Sequence, residues 1–200
     1  NSTASNNTAV GYAALQENTT GTNNVAVGKD ALDSNTTGDN NTAVGVDALQ
    51  ANTTADDSTA VGHGALAVST GASNTAVGKY AGVAVTTGIQ NSLIGALAGD
   101  ALVAAADNVA VGYLALSTET GGQNNVAIGR QSLTAQVNSS GNIYNTAVGA
   151  AAGQAVTTGA TNTLIGGLSG DNITSGGANV LFGYGTDAND GTADSQHGFG

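Results

Sequence analysis

Seven residues suited to recognition or proton transfer occupy one kind of place in this sequence. Lys29, Lys79 and Arg130, the only basic residues of the chain, each directly follow a glycine that itself follows Val or Ile. His63, Tyr12 and Tyr113 do the same, and Tyr184 follows Phe182-Gly183. Cations and aromatic rings brought onto one line can stack on, and hydrogen-bond to, a glycan or another anionic surface. These seven residues are the expected recognition stripe. The competing expectation is a solvated face that protects the fold from edge pairing. A second stretch, DANDGTAD at residues 187–194, offers Asp187, Asn189 and Asp190 as candidate ligands for calcium. It departs from the EF-hand loop, because Gly191 falls where a ligand belongs and no Glu closes the loop.

Other chemistry finds less support. The chain has no cysteine, which excludes a disulfide framework and a thiolate metal site. His63 and His197 are isolated, with no partner near them in sequence. A glycosidase needs two carboxylates facing one cleft, whereas Asp30, Asp47 and Asp100 are scattered among small residues. No catalytic residue and no cofactor is therefore expected. Fourteen acids against three bases give a net charge of −11, which disfavours nucleic acid as a partner because phosphate neutralisation needs clustered cations. No run of 18 apolar residues is present, so membrane insertion is not expected.

What positions these side chains is a repeat. Glycines preceded by Val, Ile or Phe fall at 11, 28, 45, 62, 78, 95, 112, 129, 149, 166 and 183, with a degraded twelfth at Gly200. Nine of the gaps are 17 residues, one is 16 and one is 20. Apolar residues around each anchor alternate with period two, as in strands. A unit this short cannot form a helical pair. It can form one closed coil of about 56 Å perimeter, and twelve coils stacked at ~4.8 Å make a rod of roughly 55 Å. The expected fold is an all-β parallel β-solenoid of about 11–12 coils. Residues 1–185 form the array, and 186–200 are a degraded twelfth coil or the transition to a following region. The 20-residue gap places three extra residues in the loop 134–144, read as a tolerated bulge.

Two columns carry structural expectations. Asn stands four residues before the anchor at Asn7, Asn24, Asn41, Asn74, Asn91, Asn108, Asn125, Asn145, Asn162 and Asn179, with Ser58 the exception. Amides stacked one coil apart can hydrogen-bond as a ladder along the axis. Two residues before the anchor the chain has only Ala or Leu in the first eleven coils, including Ala9, Ala26, Ala43, Ala60, Leu93, Leu164 and Leu181. If the Val and Thr on either side face inward, this column faces out. An exposed apolar stripe then predicts a self-association interface. A third pattern concerns the core. Where the Leu four residues after the anchor becomes Gly, at Gly82, Gly99, Gly153 and Gly170, the residue three further on is apolar: Val85, Leu102, Val156 and Ile173.

The NTAVG and NVAIG units with a glycine-closed turn resemble the NSVAIG-type repeats of trimeric autotransporter adhesin heads, and NTAVGYAAL followed by NTTG is similar to repeats of bacteriophage tail-fibre proteins. The resemblance covers residues 1–183. It departs in period, since adhesin heads use shorter rungs. It implies a left-handed parallel β-roll, a homotrimer, an extracellular, virion-surface or bacterial-surface location, and attachment to a host-surface glycan or protein receptor. An alternative reading, an ice-binding solenoid, is suggested by the aligned pairs Thr19-Thr20, Thr36-Thr37, Thr53-Thr54, Thr86-Thr87 and Thr157-Thr158.

Overall fold

The structure is a computed structural model that describes residues 3–138 and 140–200. Each anchor glycine ends a three-residue strand. The strands are β1 (Thr8–Val10), β2 (Val25–Val27), β3 (Thr42–Val44), β4 (Thr59–Val61), β5 (Thr75–Val77), β6 (Ser92–Ile94) and β7 (Val109–Val111). They continue as β8 (Gly122–Gln123), β9 (Val126–Ile128), β10 (Gly141–Asn142), β11 (Thr146–Val148), β12 (Thr163–Ile165), β13 (Val180–Phe182) and β14 (His197–Phe199). Twelve of them form one parallel sheet in which every strand pairs with the copy one repeat away, Thr42 with Thr59 and Val44 with Val61 for example. Strands β8 and β10 form a separate two-stranded pair at the long insertion. The chain is thus a parallel β-solenoid of about eleven turns.

Only one side of the rung is strand. The remainder is a chain of turns, because three places per rung take left-handed backbone: Asn40, Asp47 and Leu49 in the third rung have φ of 59°, 57° and 49°. Stacking does not lapse in these turns. Asp47 N–H donates to Lys29 O at 3.0 Å, Leu49 N–H to Ala65 O at 3.1 Å and Thr36 N–H to Thr53 O at 2.8 Å. Every such bond joins equivalent or adjacent places of neighbouring rungs, so one rung's conformation is a template for the next. Backbone polar groups that a loop would normally give to water are satisfied rung to rung.

The anchor glycine is where the template is tightest. Gly95 has φ of +132°, a region essentially reserved for glycine, and a Cβ there would lie 2.6 Å from the carbonyl oxygen of Gly112. The same holds at Gly45, with φ of +141° and Gly62 O at 2.4 Å.

Inside the rod the column expected outside is found. Ala26, Ala43, Ala60, Leu93 and Leu164 are fully buried and Leu181 nearly so; Ala9, in the end rung, is exposed. The expected outward interface is corrected: Ala and Leu point into the core, and the flanking Thr, Val and Ile point out. The reason is width. The core is too narrow for two β-branched side chains per strand, so it takes the small residue and leaves the branched pair on the surface. The glycine substitutions follow from the same width. Leu93 Cδ1 and Cδ2 lie 2.7 and 2.8 Å from where a Cβ would stand on Gly82 and Gly99. Leu164 stands likewise against Gly153 and Gly170, at 2.7 Å from each. A large side chain on one wall of the rung requires none on the other, and Val85, Leu102, Val156 and Ile173, all fully buried, complete the filling.

Gly95→Ala is expected to destabilise the protein by about 3 kcal/mol or more, through backbone strain and the contact with Gly112. Gly167→Ala, whose Cβ would meet the Tyr184 ring at 3.3 Å and Ala150 O at an ordinary 3.8 Å, should change stability by less than ~1 kcal/mol. Denaturant unfolding of both variants checks this, and equal losses would contradict it.

Candidate functional site

The Asn column lies inside the rod. Asn41 Nδ2 donates to Ala55 O at 2.8 Å across the rung, and Asn41 N–H donates to Asn24 Oδ1 at 2.8 Å along it. In the later rungs the amides also bond each other directly, Asn108 to Asn91 at 3.2 Å and Asn179 to Asn162 at 3.0 Å. Ser58 keeps the chain of bonds unbroken, receiving Asn74 N–H at 3.3 Å. A second buried amide stack, Asn18, Asn35 and Asn52, runs beside the first, linked at 3.0 and 3.1 Å and donating to the same carbonyls, as Asn52 does to Ala55 O at 3.0 Å. This second stack is visible in the sequence as the Asn of each NTT.

The acid Glu119 takes a place in that second column and is fully buried. Its carboxylate accepts N–H bonds from Thr120 at 2.8 Å, Gly121 at 3.1 Å, Gly122 at 2.8 Å and Asn138 at 3.1 Å, and one from Gln136 Nε2 at 2.8 Å. The carboxylate thereby ties the start of the 134–144 insertion to the rod; Ser139 of that insertion lies outside the described residues. Its role is structural, since no face of it is open to a ligand.

The outer threonines are similarly engaged. Thr36 Oγ1 donates to Thr53 O at 2.9 Å, Thr86 Oγ1 to Val103 O at 3.1 Å and Thr157 Oγ1 to Thr174 O at 3.0 Å. These hydroxyls support the rung above rather than forming an open hydroxyl lattice.

The three calcium candidates do not converge. Asp190 Oδ1 accepts Thr192 N–H at 2.9 Å and Thr192 Oγ1 at 2.8 Å, Asn189 N–H is held by Gln196 Oε1 at 2.7 Å, and Asp187 accepts Asn172 N–H at 3.2 Å. Each is used in a local turn or in joining rungs. Among the described residues no group of three or more His, Asp or Glu is placed to hold a metal ion, and no cavity opens on the rod.

The recognition stripe lies on an outer corner beside the sheet. Tyr12, Tyr113 and Tyr184 are exposed by 77, 49 and 80%, and Lys29, His63, Lys79 and Arg130 are exposed with them. The cations differ in their partners. Lys29 Nζ is ion-paired with Asp30, and Arg130 bonds Gln131 Oε1. Lys79 has no carboxylate partner among the described residues; its Nζ lies 5.0 Å from the Tyr80 ring centroid. His63 Nε2 lies 3.9 Å from Asp47 Oδ2, and its ring packs tilted on Tyr80 at 4.9 Å.

Two outward columns that the inverted strand orientation hid form the sheet face. One is Thr, Ser or Val; the other is Val, Ile or Phe, exposed at Val10, Val77, Ile94, Ile128 and Phe182 and half-buried at the rungs between them. Phe182 stacks on Phe199 with centroids 5.8 Å apart. No charged side chain stands in either column from β1 to β13, on a molecule whose net charge is −11. No helix among the described residues is long and apolar enough to cross a membrane. Comparison with models of protein families, with curated proteins and with solved structures gave no match.

Burial raises the carboxyls of Asp33, Asp100 and Asp187 above the ordinary range, and one oxygen each of Asp33 and Asp100 is buried without a partner. A carboxyl raised in the folded state contributes stability that is full below the unfolded value near 3.9 and is lost as pH rises through the folded value. The thermal midpoint is therefore expected to rise as pH falls from 7 toward the unfolded value near 3.9, opposed only by exposed Asp190, whose bonds from Thr192 hold its carboxyl below the ordinary range. Asp100→Asn should raise the midpoint at pH 7 and flatten this profile. A midpoint that falls steadily below pH 7 in the wild type would contradict the assignment.

Proposed function

We propose that this chain is a non-enzymatic structural segment of an attachment fibre, exposed outside a cell or on a virion, of the kind built from NTAVG-type repeats. Its copies associate side by side as a homotrimer. The observation that carries the reading is the uncharged Val, Ile and Phe column, which runs the length of a rod about 55 Å long. Monomeric proteins rarely leave so continuous an apolar strip uncovered, and in a molecule of net charge −11 it is where like-charged rods meet with least repulsion. Parallel rods bring identical columns together, and closed cyclic symmetry buries all of them at once. The interface is thus the outer branched column and not the inner alanines. The amide ladders and the glycine stack suit a rigid spacer that presents side chains along its length.

Light scattering should give three times the 19.1 kDa chain mass, about 57 kDa. The pair Val77→Lys and Ile94→Lys should return the 19.1 kDa monomer with an unchanged far-ultraviolet spectrum. A wild-type monomer at all concentrations would remove self-association from the reading.

A further inference from the structure

One stretch of the outer corner is built differently from the rest. Tyr80 is laid back along the rod over the preceding rung, where Gly64 stands. A Cβ on Gly64 would fall 2.6 Å from Tyr80 Cδ1 and 2.7 Å from Cε1, so the ring occupies the place of a side chain. The corresponding place in neighbouring rungs carries one, as at Asp30 and Asp47. Around the seated ring stand His63, tilted against it at 4.9 Å, and Lys79, whose Nζ is 5.0 Å from its centroid. Asp47 lies 3.9 Å from His63. An aromatic ring, an imidazole, an ammonium and a carboxylate therefore meet on three successive rungs, over about 10 Å.

We propose that this cluster is a binding subsite for an acidic saccharide, a uronic-acid-bearing glycan lying along the rod axis. The ring would offer a flat apolar surface to the C–H face of a sugar. Asp47 and His63 can accept from and donate to its hydroxyls. Lys79 decides the charge of the ligand. Lys29 is neutralised by Asp30 and Arg130 is held by Gln131, so Lys79 is the cation of this stripe left to pair with a carboxylate from outside. The extent of the cluster matches a disaccharide, and its shallowness means that a single cluster binds weakly. The proposal deepens the attachment reading by naming a ligand class, but it does not rest on self-association.

Calorimetric titration of the full 200-residue protein at low salt tests it. The probes are a hyaluronan octasaccharide and a neutral chitin oligosaccharide of equal length. The acidic probe should bind saturably and the neutral one markedly less. Lys79→Gln should weaken binding about fivefold or more, and Tyr80→Ala about tenfold. Tyr144→Ala, which removes an exposed ring in the 134–144 loop away from this corner, should leave the affinity unchanged. Both variant sites lie outside the core, and an unchanged thermal midpoint confirms that binding alone was altered. The proposal is overturned if the wild type does not bind the acidic probe, binds the neutral one equally well, or keeps its affinity in Lys79→Gln. Light scattering on the same samples separates the two readings: a monomer that binds keeps the subsite, and a trimer that does not bind removes it alone.

Discussion

Everything in this molecule depends on the approach of each rung to the next at the anchor glycine. There the carbonyl of one rung occupies the space that a side chain would need on its neighbour, 2.4 Å from the notional Cβ of Gly28 and of Gly45. Such contact is possible only when every rung turns in the same way at the same place. The register of the anchors is therefore a steric requirement, and departures from the 17-residue period must be absorbed away from the sheet. The three extra residues between Gly129 and Gly149 obey this: strands β9 and β11 still pair in register, Thr146 with Val126. The surplus is taken up in the loop anchored by Glu119.

A rung so closely stacked leaves little interior. The core is a column one or two side chains wide, which is why Ala and Leu fill it and aromatic residues stay outside. Amides complete it, because two Asn columns converge on the same buried carbonyl of each rung, Ala55 O receiving Asn41 from across the rung and Asn52 from its own turn at 2.8 and 3.0 Å. Buried polar groups cost stability when unpaired. Here identical neighbours guarantee a partner, and the repeat turns a liability into a connected network.

The architecture was open to reading from the sequence because glycine spacing and the Asn column are consequences of stacking and recur with it. The direction of the strand was not. In TAV all three residues are small or apolar, so alternation alone leaves two orientations, and choosing the branched pair for the core inverted inside and outside. The deciding signal was present. Leu93 and Leu164 replace Ala where Gly82, Gly99, Gly153 and Gly170 replace Leu, and such an exchange of volume occurs only between side chains that share one core. The turns were illegible for a different reason: Leu49, Leu66 and Leu133 take φ near +50°, against ordinary preference, because their neighbours impose it. The corner cluster was only partly visible. Lys79 and His63 fall in the column that the anchors define, whereas Tyr80 lies one place further on, and its seat on Gly64 exists only once two rungs are laid together.

Rung-to-rung bonding runs through the turns as fully as through the strands. Native-state amide hydrogen exchange on the central rungs measures it most directly. The N–H groups of Asp47, Leu49 and Ala51, which donate to neighbouring rungs at 3.0, 3.1 and 3.0 Å, should be protected to within about tenfold of those of strands β3 and β4. Turn amides exchanging at nearly the rate of an unfolded chain, beside protected strands, would show that the sheet alone holds the rod and would contradict the account.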